Sequence, residues 1–190
     1  MPFLSIPSAV EILNKPLPET LLSQIKGNAP RDVKEMTVKW LNVYHAPPKC
    51  FAGASTRRTL VTEVSLDPNP LDDNRRVLTL VAELDVTEEI LDERGKLSNG
   101  FTIAVMDECL SSAVTTLDYA DGGHGVSPVS LALNTVFYNP AELGAKLRFI
   151  NTTQAAVAGR MSSRCEVWDL TRRKLVATGV FLGLRSSARL

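Results

Sequence analysis

Residues 97–117 form the segment that most constrains the fold of this chain. Apolar residues recur in it at helical spacing, and alanine, valine and cysteine residues extend the apolar surface around most of the cylinder. A helix that is apolar nearly all round belongs in a protein core. We therefore predict that this segment is a central helix covered by other elements on several sides.

Two adjacent acids, Asp107 and Glu108, lie on different sides of this helix. At about 100° per residue, Asp107 shares a stripe with Gly100 and Leu110, whereas Glu108 shares a side with serine and threonine residues. An acid among apolar neighbours must offset the cost of its desolvation. We predict that Glu108 is solvated. Asp107 is predicted to be semi-buried, either as a functional base or as a hydrogen-bonded structural carboxylate.

The start of the predicted helix has features of an anion site. Ser98 and Asn99 are both good N-cap candidates, and Gly100 would let a ligand approach the backbone closely. The free N–H groups of the first turn, together with the helix dipole, favour a carbonyl oxygen that gains negative charge.

The composition narrows the function classes. The chain has 190 residues, enough for one domain with a short extension, and its 21 basic and 21 acidic residues give no net charge. This balance argues against nucleic acid as the main partner, and no apolar run is long enough for stable membrane insertion. Three separated cysteines and two histidines indicate an intracellular protein without a disulfide framework, a metal site or a bound cofactor.

The last three residues, Ala188, Arg189 and Leu190, resemble the small-basic-leucine form of a peroxisomal targeting signal. This ending predicts a peroxisomal location, and the cytoplasm is the other main expectation.

We divide the chain into an N-terminal helical extension, residues 1–48, and a domain of residues 49–190. In the extension we predict helices over 19–26 and over 32–44, the second capped by Asp32. In the domain the apolar period changes to two, which is typical of β-strands. Two strands are predicted before the central helix, at 55–66 and 75–86, and four after it, at 129–138, 146–153, 159–168 and 175–184.

This order predicts an α+β protein in which an antiparallel curved sheet of about six strands wraps around one long helix, which is the hotdog fold. Several short motifs also resemble the acyl-CoA thioesterase branch of that fold, in particular the small mammalian type. They are Gly95-Lys96-Leu97 followed by Ser98-Asn99-Gly100, where the family has His-Gly-Gly, then Met106-Asp107, Val129-Ser130, the set Asn134, Phe137 and Pro140, Leu143-Gly144, and Leu175 with Ala177 and Gly179.

The resemblance implies catalytic roles for four residues. Asp107 would activate the attacking water, Ser130 would help to position it, and the backbone N–H groups of Asn99 and Gly100 would polarise the thioester carbonyl. Three further residues are candidates for substrate binding: Ser98 in the altered motif, Asp92 in the preceding loop, and Arg160, whose charge suits the phosphates of coenzyme A.

The implied activity is hydrolysis of acyl-CoA or related acyl thioesters to free acid and thiol. The implied assembly is a homodimer or a dimer of dimers with active sites at the subunit interface. The alternative is a non-catalytic acyl-CoA-binding or scaffolding hotdog protein. A hydratase of the same fold would need an Asp and His pair near the helix start, and neither His45 nor His124 lies in such a motif. The acyl chain, and the choice between coenzyme A and a carrier protein, stay open at this point.

Overall fold

The computed structural model describes residues 9–46, 51, 53–157 and 159–185, so the C-terminal tripeptide and Cys50 lie outside the described residues. Within these described ranges, five helices and six strands follow one another, with a short 3-10 turn at Glu88–Ile90. The helices are α1 (Ala9–Asn14), α2 (Glu19–Leu22), α3 (Arg31–His45), α4 (Gly53–Thr56) and α5 (Asn99–Ala120). The strands are β1 (Leu60–Asn69), β2 (Asp72–Asp85), β3 (Pro128–Phe137), β4 (Lys146–Val157), β5 (Arg160–Asp169) and β6 (Lys174–Arg185).

The six strands form one antiparallel sheet in the order β1-β2-β4-β5-β6-β3. Helix α5 packs against five of the strands and against α3. This arrangement confirms the predicted hotdog fold, with a central helix enclosed by a curved sheet.

Helix α5 is the core of the molecule, as predicted. Most of its residues are buried, and Val105, Met106 and Leu110 are completely inaccessible to solvent. The helix begins at Asn99, as the predicted caps imply, and ends at Ala120, three residues beyond the predicted segment. Of the two candidate caps the structure uses Ser98, whose hydroxyl accepts a hydrogen bond from the Phe101 amide at 3.4 Å.

The predicted cap of α3 was wrong. Pro30 occupies the N-cap position, with a ψ of 155°, and its carbonyl accepts the Lys34 amide. Proline suits this position because its fixed φ leads directly into the first helical turn. The Asp32 carboxylate instead accepts a hydrogen bond from the Tyr119 hydroxyl at 3.3 Å, in the last turn of α5.

Several other boundaries differ from the predictions: β1 ends at Asn69, β2 begins at Asp72 and β4 continues to Val157. Two further differences arise because backbone groups have other partners. The helix predicted over 19–26 ends at Leu22, since the amide of Lys26 donates to the carbonyl of Thr62 in β1. The strand predicted from residue 55 begins at Leu60, because Gly53–Thr56 forms a helical turn.

Residues on both sides of the predicted boundary at residue 48 contribute to one buried cluster. Leu22, Ile25, Val33 and Leu41 from the extension belong to the same apolar cluster as α5 and the sheet. Among the described residues, no helix has both the length and the apolarity needed to cross a membrane.

The two edges of the sheet differ. Backbone hydrogen bonds of Lys26 and Ala29 to Thr62 and Val64 cover the β1 edge. The opposite edge is β3, which pairs only with β6 in the described part of the chain. Its residues Val129 and Leu131 are more than half exposed. An uncovered apolar edge strand is a surface on which another strand can pair.

Gly27 allows the N-terminal segment to reach the β1 edge, and this gives a testable prediction. Its φ is 92°, and a Cβ built there would lie 2.2 Å from the Val64 carbonyl oxygen. We expect Gly27→Ala to lower the free energy of unfolding by about 3 kcal/mol or more, because the backbone is strained and the added carbon collides with backbone.

Gly144→Ala is the matched control, since its φ is also positive, at 75°, but a Cβ there meets nothing within 4 Å. It should cost only about 1 kcal/mol of backbone strain. Urea denaturation followed by circular dichroism measures both values. Equal losses in the two variants would contradict the proposed collision at Gly27.

Candidate functional site

The structure brings two of the predicted site residues into direct contact. Asp107 lies in the third turn of α5, and Ser130 lies near the start of β3. The Ser130 hydroxyl donates a hydrogen bond to Asp107 Oδ1 at 3.0 Å. A serine and a half-buried carboxylate, 23 residues apart in sequence, thus meet at the uncovered edge of the sheet.

A β-bulge accompanies the inward position of Ser130. Ser130 pairs with Gly183 of β6, but Ala132 pairs with Leu182, so Leu131 is an extra residue in β3. Side chains alternate between the two faces of a strand, and a bulge changes which residues point inward. The irregularity therefore lies directly beside the residue that contacts α5.

Burial raises the pKa of the Asp107 carboxyl above its ordinary value. The hydrogen bond from Ser130 acts in the opposite direction because it favours the charged form, while the nearby charge of Glu108 raises the pKa further. A carboxylate with a raised pKa is a better proton acceptor than an ordinary surface acid. Asp107 therefore has the environment that general-base chemistry requires.

Glu108 was predicted to be solvated, and this prediction was wrong. Its side chain is only 17% exposed, and its carboxylate lies 3.0 Å from Nε2 of the buried His45. The physical reason is that α3 covers this side of α5, as a second hydrogen bond shows: Ser112 Oγ donates to the Thr37 carbonyl at 3.1 Å.

The helix start forms a second part of the candidate site. Asn99 and Gly100 are exposed, whereas the Ser98 hydroxyl serves as the cap. A groove of about 380 Å³ adjoins this turn. Its lining includes Asp92, Asn99, Phe137, Tyr138, Asn139 and Val176.

Asp92 lines this groove, but its carboxylate already has partners. Oδ1 accepts the backbone amides of Arg94 and Lys96, at 2.9 and 3.0 Å, and Oδ2 pairs with the Arg94 guanidinium at 3.1 Å. The backbone hydrogen bond from Lys96 is the main cause that lowers the pKa of Asp92. Asp92 therefore stabilises the turn that forms one wall of the groove.

The helix start and the Asp107–Ser130 pair do not meet within one chain. Asn99 and Asp107 are eight residues apart on the same helix, which corresponds to roughly 12 Å along its axis. A single carbonyl group cannot contact hydrogen-bond donors and a water-activating base across that distance.

Arg160 lies on the other face of the sheet. Its neighbour Met161 is buried against the core, so the exposed Arg160 side chain is on the outer face. It pairs with Leu184, which also pairs with Val129 beside Ser130. Among the other arginines, Arg148 pairs with Glu83 and Arg172 pairs with Glu142 and Asp169.

The two cysteines that the structure describes lie in the core of the protein. Cys109 and Cys165 are buried free thiols, and burial raises the pKa of both, which keeps them protonated. Within the described ranges, no cluster of three His, Cys, Asp or Glu residues could hold a metal ion.

Sequence reasoning missed the contacts that α3 makes around this site. Besides the His45 contact, the Tyr44 hydroxyl lies 2.7 Å from Ser127 Oγ, just before β3. The apolar face of the predicted helix already included Tyr44. Nothing in the sequence, however, indicates which residues 63 or 83 positions away would meet the end of this helix.

Ser130 and Glu108 shift the pKa of Asp107 in opposite directions, so we predict opposite pKa shifts when each is substituted. Ser130→Ala should raise the pKa of Asp107 further, because a hydrogen bond to the charged form is lost. Glu108→Gln should lower it, because a nearby negative charge is removed. Carbon-detected NMR titration of the Asp107 carboxyl measures both shifts. Two shifts in the same direction would contradict this electrostatic description.

No protein-family model matches the sequence, and no curated protein matches it. Solved structures do match. Zebrafish thioesterase superfamily member 2 superposes with a TM-score of 0.63 at 17% identity, over 81% of this chain and 98% of its own.

Two bacterial structures are similar over a smaller share of this chain. The Escherichia coli PaaI protein from the phenylacetic acid degradation operon matches with a TM-score of 0.51 at 17% identity, over 58% of this chain and 74% of its own. A Streptococcus mutans protein solved with bound acetyl-CoA matches with a TM-score of 0.51 at 14% identity, over 59% of this chain and 84% of its own. The chain therefore has the hotdog fold that is found in thioesterase superfamily structures.

Proposed function

We propose that this protein hydrolyses acyl-CoA or related acyl thioesters to a free acid and a thiol. The observation that carries the proposal is the hydrogen bond between Ser130 and the half-buried Asp107, whose pKa is raised by burial. The fold shared with thioesterase superfamily structures and the acetyl-CoA bound by one fold relative support the substrate class.

In the proposed mechanism Asp107 accepts a proton from a water molecule that attacks the thioester carbonyl carbon. Ser130 occupies Asp107 Oδ1 and helps to orient this water, and we assign Oδ2 to the water itself. The attack produces a tetrahedral oxyanion, which the N–H groups at a helix start stabilise. The carbon–sulfur bond then breaks, the thiolate leaves and takes the proton from Asp107, which restores the carboxylate, and the acid is released. A thiolate is a good leaving group, so the reaction needs no strong acid catalyst.

We propose that two copies of the chain share each site. The roughly 12 Å between Asn99 and Asp107 along α5 favours oxyanion donors from a second copy. The uncovered β3 edge, which carries Ser130, is where that copy would pair, and Ile103, on the Asp107 stripe, is 38% exposed. A homodimer that extends the sheet across β3 would cover the β3 edge and Ile103. A dimer of dimers would contain this contact twice.

The groove at the helix start is the proposed path for the substrate. Its apolar wall, which includes Phe137 and Val176, suits an alkyl arm, and Asn99 and Asn139 offer amide groups to polar parts of the substrate. Asp92 and Ser98 shape this path through the turn and the helix cap. Arg160, which has no ion-pair partner among the described residues, is the proposed contact for a coenzyme A phosphate on the outer face.

A non-catalytic acyl-CoA-binding protein is the second candidate. The observation that favours it is Asn99, whose exposed side chain stands at the groove beside the altered Ser98-Asn99-Gly100 motif. Binding of acyl-CoA without thiol release would support this function and would contradict hydrolysis.

The first test measures thiol release from acyl-CoA thioesters of graded chain length. We expect Asp107→Asn to reduce kcat by about 1,000-fold, because the water loses its base, and Ser130→Ala to reduce it by about tenfold. Folding should persist in both variants, as judged by circular dichroism and by oligomer size.

A stability measurement gives the corresponding control. Because the pKa of Asp107 is raised in the folded state, its contribution to stability is present at low pH and is lost as the pH rises through the folded pKa. Wild-type protein should therefore lose stability relative to Asp107→Asn as the pH rises through the folded pKa of Asp107.

In the kinetic test, an Asp107→Asn variant with full turnover would exclude Asp107 as the base.

The oxyanion donor can be tested with Asn99→Pro. Asn99 is the first residue of α5, and Ser98 before it has an extended backbone, which is the conformation that proline requires in its predecessor. The substitution removes the N–H group without disturbing the helix, and we expect a loss of kcat of about 100-fold. Asn99→Ala removes only the side chain and is the reference variant, so the further loss of kcat in Asn99→Pro reports the N–H group alone.

Mixing the two inactive variants tests whether the site is shared between chains. A mixed dimer of Asp107→Asn and Asn99→Pro subunits has one site with both groups intact. Since about half of randomly reassembled dimers are mixed, activity should recover to about a quarter of wild type. Absence of recovery despite confirmed subunit exchange would contradict a shared site.

A further inference from the structure

The end of α3 contacts the two segments that carry Asp107 and Ser130. The Tyr44 hydroxyl lies 2.7 Å from Ser127 Oγ, three residues before Ser130. The next residue, His45, lies 3.0 Å from the carboxylate of Glu108, the neighbour of Asp107. Two consecutive side chains of one helix thus reach both sides of the Asp107–Ser130 pair.

These contacts are held in a fixed environment. The His45 residue is only 4% exposed, and its carbonyl accepts the Arg57 Nε–H at 2.9 Å. Burial raises the pKa of Tyr44 to about 12, so its hydroxyl keeps its proton at all physiological pH values. The Trp40 ring packs beside the Tyr44 ring, with centroids 6.0 Å apart.

The connection between α5 and β3 explains why such contacts matter. Residues 121–127 contain neither helix nor strand and include three glycines, two of which have positive φ values. The Asp118 carboxylate holds the middle of this segment, because it accepts the Gly125 amide at 3.1 Å. The Tyr44–Ser127 contact anchors the segment at its end, immediately before β3.

We propose that α3 is a positioning element for the Asp107–Ser130 pair, in which Tyr44 holds the β3 side through Ser127 and His45 holds the α5 side through Glu108. Neither residue contacts the reacting atoms. Their effect on turnover rests on the proposed thioesterase function, whereas their effect on the geometry of the pair does not.

The kinetic test compares variants of the contact between α3 and the segment before β3. Tyr44→Phe and Ser127→Ala each remove one partner of the hydrogen bond beside Ser130, and each should lower kcat about fivefold with KM unchanged, because the pair is less well aligned. Tyr44 also has a side-chain hydrogen bond to Thr115 of α5, which Ser127→Ala retains. The double variant should therefore be no slower than Tyr44→Phe, since that substitution already removes the bond to Ser127.

Ser112→Ala is the matched control. It removes the hydrogen bond from Ser112 to the Thr37 carbonyl, which joins α5 to α3 one helical turn after Glu108. It should cost stability comparable to that lost in Tyr44→Phe but leave kcat unchanged. Equal losses of kcat in both variants would reduce the role of α3 to general packing and overturn the proposal.

The His45 contact is tested by rescue. His45→Leu removes the polar contact with Glu108 and should lower kcat about fivefold, whereas His45→Gln places an amide near the position of Nε2 and should restore most of it. Equal kcat values in the two variants would overturn the role of the hydrogen bond.

A readout that needs no turnover separates this proposal from the proposed function. NMR titration of the Asp107 carboxyl should give a higher pKa in Tyr44→Phe than in wild type, because a loosened Ser130 no longer stabilises the charged form, and no change in Ser112→Ala. If wild-type protein releases no thiol, hydrolysis is excluded, and the titration alone decides whether α3 positions the Asp107–Ser130 pair. An Asp107 titration identical in wild type and Tyr44→Phe would overturn it.

Discussion

The desolvation of Asp107 is the constraint on which the rest of this structure depends. Helix α5 is apolar enough to form the core of the sheet, yet it carries a carboxylate in its third turn. Burial disfavours the charged form of this group, and a hydrogen bond from Ser130 offsets part of that cost. A carboxylate kept in this state is suited to proton transfer. The requirement to meet a hydroxyl explains why the bulge in β3 lies beside Ser130.

Two geometric facts connect this pair to assembly. The N-terminal segment covers one edge of the sheet through the backbone of Lys26 and Ala29, and the β3 edge, next to the pair, is uncovered in the described part of the chain. The rise of an α-helix separates Asn99 from Asp107 by roughly 12 Å. A reaction that needs both an oxyanion donor and a base therefore favours a second copy of the chain at the β3 edge, and this links the proposed chemistry to the proposed oligomer.

The N-terminal extension makes direct contacts beside this site, which its sequence does not indicate. Leu22 and Val33 belong to the central apolar cluster, and the last two residues of α3 contact the neighbours of Asp107 and Ser130. Helix α3 also contacts Glu108, whose charge contributes to the raised pKa of Asp107. The proposed positioning role of α3 connects an element outside the six-stranded sheet to the group most suited to be the base.

The sequence by itself determined the elements, because hydrophobic period and turn residues are local: the buried central helix, the six strands and the fold were predictable, and Asp107 could be recognised by its apolar stripe. The local pattern could not identify partners distant in sequence. Glu108 appeared solvated because the helix that covers it, α3, is distant in sequence: His45 lies 63 residues before Glu108. Asp32 was predicted to be the cap of α3, although Pro30 occupies that position. Only the tertiary structure decided that Ser130 meets Asp107 and that Arg160 lies on the opposite face, because these facts depend on strand register and on the packing of whole elements.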